Sequence, residues 1–241
     1  MLTISHYSCI KRTLVSLIAG NFGRWICVQP FNMTATPKAN INQSLRLDQI
    51  TGVILAGGKS SRYGTNKALV EINGMRLIDR VVQAMGSVFP HLLLVTNTPH
   101  EYAYLQIPMV EDLIKGLGPL GGIYTGLEFI SDNAGFFVAC DMPFINPDLI
   151  LHITELLEDF HAVVPRVDWK IEPLYALYTK GCLPYIKEAI RTKEYQIVKV
   201  FDRIRVRYLE EDEIRAIDPQ LKTFLNINRP EELKRAEEFA S

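Results

Sequence analysis

Ile50-Thr51-Gly52-Val53-Ile54-Leu55-Ala56-Gly57-Gly58-Lys59-Ser60-Ser61-Arg62-Tyr63-Gly64-Thr65-Asn66-Lys67 is the stretch on which the fold turns. Ile50 to Ala56 is an apolar run without a charge, the pattern of a strand covered on both faces. Gly57 and Gly58 follow at once, so the chain turns tightly and brings bare N–H groups against an anion, an approach that a β-carbon would block. Arg62 and Lys67 add charge-assisted contacts at the far end of the loop, and a triphosphate would fit such a cradle. No Gly-Lys-Ser/Thr closes the loop and no GxGxxG opens it, which removes support for P-loop kinases and for dinucleotide-dependent dehydrogenases.

Working outward, short β-branched runs alternate with amphipathic stretches. Arg76 to Met85 places Leu77, Val81, Val82 and Met85 on one helical face, and His91 to Thr96 reads as a second buried strand, which completes a βαβ unit. A short strand at Met109-Val110, a helix from Leu120 to Ile130, a strand from Gly135 to Cys140 and a helix from Pro147 to Leu157 follow. Ala162 to Val164, Leu174 to Tyr178 and Arg205 to Leu209 read as strands, and Leu183 to Arg191 as a helix. Asn226 to Asn228 reads as a strand end that passes into a closing helix, Glu231 to Phe239, with Pro230 near its first turn. This order implies an α/β fold: a single doubly wound, mostly parallel sheet of Rossmann-like type, with its ligand at the carboxyl ends of the strands. The domain is expected over 50–241.

Residues 1–49 read differently. They hold no Asp or Glu before Asp48, carry Lys11, Arg12, Arg24, Lys38 and Arg46, and match no block of the fold, so an irregular N-terminal extension is expected. Leu14 to Ala19 is too brief, and lacks the cleavage site, for a secretory signal. Met33 opens a polar segment that reads as a more natural start. A net charge of −1 provides no basic field for nucleic acid, and no apolar run approaches the roughly 20 residues of a membrane span. Cys9, Cys27, Cys140 and Cys182 form no CxxC pair and suit a cytoplasmic, reducing setting. The five histidines are scattered, and none reads as a ligand or base.

The first loop resembles the LAGGxSxRxGxxK signature of the nucleotidyltransferases that include molybdenum cofactor guanylyltransferase, sugar-phosphate pyrophosphorylases and related cytidylyltransferases. The likeness continues in order through Val110-Glu111-Asp112, then Gly118-Pro119-Leu120-Gly121-Gly122 with Gly126-Leu127, then Cys140-Asp141-Met142-Pro143, and Phe224 to Leu233. Together these blocks are similar to the molybdenum cofactor guanylyltransferase family over roughly 50–240. The sequence departs from the usual Asn-x-Asn-Thr-Pro by placing Arg229 before Pro230.

The resemblance implies transfer of GMP from GTP to the terminal phosphate of molybdopterin cofactor, with release of pyrophosphate, dependent on Mg²⁺. It implies GTP and molybdopterin as substrates and transient contact with proteins that deliver the cofactor or receive it. The alternatives within the superfamily are a cytidylyltransferase and a sugar-1-phosphate nucleotidyltransferase; outside that activity stands a non-catalytic GTP- or cofactor-binding protein.

Asp141 follows the strand ending at Cys140, so its carboxylate lies at the edge where a ligand would sit and suits Mg²⁺, a hard cation. By resemblance Asp141 is the metal ligand, and Lys67, Arg62 and Asp141 carry the chemistry. Leu55, Ala56, Gly57, Gly58, Lys67, Asn97, Asp112 and Asp141 line the nucleotide. Asn226 and Asn228 alternate along a strand end, so only one is expected to reach the acceptor side. The glycines from Gly116 to Gly122 read as room for a flat ring against bare backbone. Lys170, Glu172 and Pro173 fall in the acceptor region by order of blocks. Cys140 reads as a small strand residue without chemistry.

Overall fold

The computed structural model describes residues 46–57 and 66–227, together with Glu232. In chain order it builds β1 (Ile50–Leu55), a hairpin of β2 (Glu71–Ile72) and β3 (Met75–Arg76), α1 (Leu77–Gly86), β4 (Leu92–Val95), β5 (Met109–Val110), α2 (Pro119–Phe129), β6 (Ala134–Ala139) and α3 (Pro147–Glu155). There follow β7 (Ala162–Val167), β8 (Lys170–Ile171), β9 (Tyr175–Thr179), α4 (Leu183–Arg191), α5 (Ile197–Phe201), β10 (Val206–Leu209) and α6 (Glu211–Arg215).

The main sheet runs β10-β7-β9-β6-β1-β4-β5, with β8 folded against β7. β1 pairs in parallel with β4 on one side and β6 on the other; β4 and β5, and β7 and β10, are parallel too. β9 alone runs against both of its neighbours in this path. The expected mostly parallel α/β sheet is therefore present, with one reversed strand inserted between its halves.

Double winding follows from side-chain alternation along buried strands. Ile50 and Ile54 point to a face that also holds Phe136, Val138, Tyr175 and Leu177, covered by Ile78, Val81 and Met85 of α1 and by Leu149 and Ile153 of α3. Val53 and Leu55 point to the other, with Phe137, Ala176 and Tyr178, under Leu120, Ile123 and Leu127 of α2 and Ile186 of α4. β1 and β6 are buried on both sides, which is why their text is almost continuously apolar. Leu47, just before β1, packs against the first of these clusters, so the core reaches slightly ahead of the expected boundary.

Two expectations need correction. β7 continues through Pro165 to Val167, beyond the expected end at Val164. β9 pairs with β7 only at Ala162 and Val163, so the missing N–H of Pro165 falls beyond that ladder. Asn226 and Ile227 are not in a strand; Phe224 ends a 3-10 turn, and the Ile227 N–H donates to the Asp141 carbonyl at 3.2 Å, a single tie to a loop rather than a ladder. The β2–β3 hairpin lies in a stretch to which the sequence reading assigns no element; its turn is Asn73-Gly74, both with positive φ (48° and 75°), a two-residue connection that matches strand twist. The closing helix expected at Glu231 to Phe239 lies, except for Glu232, outside the described residues.

α2 lies very close to the sheet because Gly126 lacks a side chain: a β-carbon there would stand 2.5 Å from Phe137 Cε1 and 3.0 Å from Val53 Cγ1. Both neighbours are fully buried and cannot swing away. Gly126→Ala should therefore lower stability by about 1–3 kcal/mol, even though alanine is the better helix former. A urea unfolding curve checks this, and an unchanged or higher midpoint would show that α2 can lift off the sheet without cost.

Candidate functional site

Because β1, β4, β5 and β6 are parallel, their carboxyl ends share one edge, and the residues that follow each strand meet there. The Ala56 N–H donates to the Val95 carbonyl at 2.9 Å, Thr96 N–H to Val110 at 2.9 Å, and Cys140 N–H to Leu55 at 3.1 Å. These bonds extend the ladders by one residue and bring Leu55, Ala56, Gly57, Asn97, Asp112 and Asp141 to the same rim. A β-carbon placed on Gly57 would meet nothing within 4 Å, so its backbone borders open space.

Lys67 Nζ donates to Asp141 Oδ2 at 2.7 Å, joining residues 74 positions apart. The side chains keep only 14% and 24% of their exposure, so water screens the pair less than it would a surface ion pair, and removing one partner leaves the other's charge poorly compensated. Lys67 opens a 3-10 turn, Lys67–Leu69, capped by the Asn66 side chain. On the opposite flank, Asn97 Nδ2 donates to Asp112 Oδ2 at 2.6 Å, while Asn97 Oδ1 accepts from the Asp112 N–H at 3.3 Å. Asn97 and Asp112, expected separately near the nucleotide, thus form one unit held by paired bonds.

The glycines from 116 to 122 divide into two roles. Gly118, with φ 59° and ψ −143°, occupies backbone space essentially closed to other residues and ends the loop just before α2 begins at Pro119. Gly121 and Gly122 face protein instead, where β-carbons would lie 3.0 Å from Leu117 and 3.2 Å from Leu55. The expected bare surface for a ring is therefore confined to the start of this stretch.

Among the described residues no group of three or more His, Cys, Asp or Glu could hold a metal by itself. A cation at this rim would therefore draw most of its ligands from water and from a substrate's phosphates rather than from the described side chains.

A family model described as a MobA-like NTP transferase domain matches residues 52–207. The chain is 39% identical over 193 residues to the molybdenum cofactor guanylyltransferase of Desulfosudis oleivorans, covering 79% of this chain and 96% of that protein. The chain belongs to the MobA-like NTP transferase family. The crystal structure of molybdopterin-guanine dinucleotide biosynthesis protein A from Archaeoglobus fulgidus superposes with TM-score 0.70 at 28% identity, over 79% of this chain and 98% of that one. A cytidylyltransferase acting on 2-C-methyl-D-erythritol 4-phosphate, from Thermus thermophilus, shares the fold at TM-score 0.58 and 16% identity, over 78% and 97% of the two chains.

Within the family's domain, the residues singled out by sequence converge as far as they are described. Leu55, Ala56, Gly57, Lys67, Asn97, Asp112 and Asp141 share the rim; Gly58, Arg62 and Asn228 lie outside the described residues. Asn226 is exposed, one residue from the tie between Ile227 and Asp141. Glu172 comes to the same rim because the Ala139 N–H bonds the Leu174 carbonyl at 3.0 Å, which lays the start of β9 beside the end of β6. Burial raises the Glu172 carboxyl above its ordinary range, with Lys170 opposing. Sequence reasoning missed Asn66, next to Lys67, and the Glu101 and Tyr102 side chains that bond to it. An Asn just ahead of a short helical turn was the available signal for the first of them. No described helix is long and apolar enough to cross a membrane.

Cys140 packs, partly exposed, against the core next to Asp141. Burial first, and the Asp141 charge second, push its thiol up to about 12, with Lys67 pulling the other way. A thiol that stays protonated is neither nucleophile nor metal ligand. Cys140→Ala is expected to keep nucleotidyl transfer within about threefold of the parent. A kcat loss on the order of 100-fold would give the thiol the role denied to it here.

Proposed function

We propose that this chain transfers GMP from GTP to the terminal phosphate of molybdopterin cofactor, giving the guanine dinucleotide form and pyrophosphate. The observation that carries the reading is the likeness, over nearly the full length of the Desulfosudis protein, to a molybdenum cofactor guanylyltransferase, in a chain that pairs Lys67 with Asp141 at the sheet rim. The cytidylyl-type neighbour shares the fold alone and does not favour another donor.

The chemistry asks little covalent work of the protein. The acceptor phosphate is already an anion at pH 7, so alignment with the α-phosphate and stabilisation of the departing charge are sufficient. Backbone N–H groups at Gly57 and Gly58 take phosphate oxygens, and Lys67 and Arg62 hold the growing charge on the pyrophosphate side. Asn97 and Asp112 present an amide and a carboxylate toward the base, and one of Asn226 and Asn228 reaches the acceptor side. Asp141 orients Lys67 and is the residue to hold Mg²⁺. Bound there, the metal would neutralise phosphate charge and hold the reacting oxygens in line. The protein is expected to work in the cytoplasm and to meet, transiently, the proteins that deliver the cofactor or receive it.

Incubation with Mg²⁺, molybdenum cofactor and each NTP in turn, with the dinucleotide identified by mass, tests donor, acceptor and activity together. GMP transfer is expected; CMP transfer, or transfer only to a sugar phosphate, would replace this reading. Asp141→Ala should abolish turnover in a folded protein, as checked by kcat and circular dichroism, and near-normal turnover with Mg²⁺ would remove the metal assignment. Lys67→Ala should depress kcat by about 100-fold or more, roughly 2.7 kcal/mol, with a smaller change in GTP affinity. Lys67→Arg should recover part of that loss. A rise in GTP KM alone, with kcat unchanged, would make Lys67 a uniform binding contact.

A further inference from the structure

Lys67 stands at the start of a turn of only three residues, and something must fix that turn against the sheet. Asn66 does so with every polar atom of its side chain. Its Oδ1 accepts from the Ala68 N–H at 3.1 Å and from the Tyr102 hydroxyl at 3.1 Å. Its Nδ2 donates to Glu101 Oε2 at 2.6 Å and to the Tyr102 oxygen at 2.8 Å. Tyr102 is 1% exposed and so cannot drift. Thr98 Oγ1 donates to the same Glu101 oxygen at 2.6 Å, and Thr98 directly follows Asn97. Hydrogen bonds, from Thr98 foremost and from Asn66 in addition, hold the Glu101 carboxyl below its ordinary range, while burial pulls the other way.

We propose that Asn66, Glu101 and Tyr102 form a lock that positions Lys67, and that residue 66 must be an amide facing a carboxylate for the lock to close. The effect on turnover rests on the proposed transfer reaction; the effect on the lysine itself does not. Only an amide both accepts two bonds and donates two at this site. Aspartate at 66 would accept but not donate, and its charge would stand against the Glu101 carboxylate at hydrogen-bond distance. Glutamine at 101 would supply the donor that such an aspartate needs. The lock therefore predicts a swap: Asn66→Asp fails, and Asn66→Asp with Glu101→Gln works. A side chain that merely filled space would show no such rescue.

Two measurements on the full chain decide it. The first is reductive methylation of the free protein at limiting reagent, followed at the Lys67 peptide by mass spectrometry. Asn66→Asp should speed modification of Lys67 by about threefold or more, because the ammonium is no longer held on Asp141, and leave exposed Lys170 unchanged; adding Glu101→Gln should restore the parent rate. The second is turnover. Asn66→Asp should lower kcat by about tenfold with GTP KM moved less than about threefold, Glu101→Gln should restore it, and in a Lys67→Ala background Asn66→Asp should cost nothing more. Unchanged labelling, or equal losses in the single and double variants, would overturn the lock. If the parent transfers no nucleotide, the functional reading fails while the labelling result still decides the lock. Should Asn66→Asp not fold, Tyr102→Phe removes both bonds between the hydroxyl and Asn66 without adding charge; it should still raise Lys67 labelling by about twofold, and no rise would count against the proposal.

Discussion

The parallel pairing of β1 with β4 on one side and β6 on the other is the constraint on which the site depends. Parallel strands present all their carboxyl ends at one edge, and the loops that leave them are forced into company irrespective of their separation in sequence. Leu55 and Ala56 leave β1, Asn97 follows β4, Asp112 follows β5 and Asp141 follows β6; the ladder bonds Ala56 to Val95 and Cys140 to Leu55 hold these exits in register. Were β6 antiparallel to β1, Asp141 would lie at the opposite edge from the glycine loop, and the Lys67 ion pair could not form.

How much of this was legible depended on the kind of signal. β1 and β6 were readable because burial on both faces writes a continuous apolar run, and their exits were readable because Gly57 and Asp141 stand directly after such runs. β9 as a strand was equally plain, but its reversed direction was not, since direction is set by how a connection returns and no side chain records it. β7 runs past its expected end at Val164 because β9 stops pairing before Pro165, so the missing N–H interrupts no ladder bond to that neighbour.

Polar pairings were the least legible part. Asn97 and Asp112 were each placed near the nucleotide from the family's text, but their mutual bonds depend on the spacing between two strand exits. The contacts of Asn66 with Glu101 and Tyr102 span 35 and 36 positions and join a loop end to a 3-10 segment, Pro99–Leu105, that carries no strong periodicity of its own. Hydrogen bonds between irregular segments leave no repeating pattern in sequence, because each is satisfied once, by one partner, at one angle. The Asn73-Gly74 hairpin carries its signal in two adjacent turn residues, although the sequence reading assigns no element there.

Electrostatics explains why placement of a single lysine carries so much. The net charge of −1 provides no long-range attraction for a polyphosphate, and Lys67 with Asp141 is locally neutral. In the proposed reaction, anion binding would come from contacts at close range, where Coulomb energy changes steeply with distance. A protein with a broad basic field would tolerate a displaced cation, because the others make up the loss; the role proposed for Lys67 has no such field behind it. An ammonium suits the task better than a guanidinium, since it is a compact charge whose three donors can serve Asp141 and other acceptors from one position. Such a group is only as accurate as the backbone that presents it. That ties the small turn at Lys67, and the bonds that seat it, to the same parallel edge that brings Asp141 within 2.7 Å.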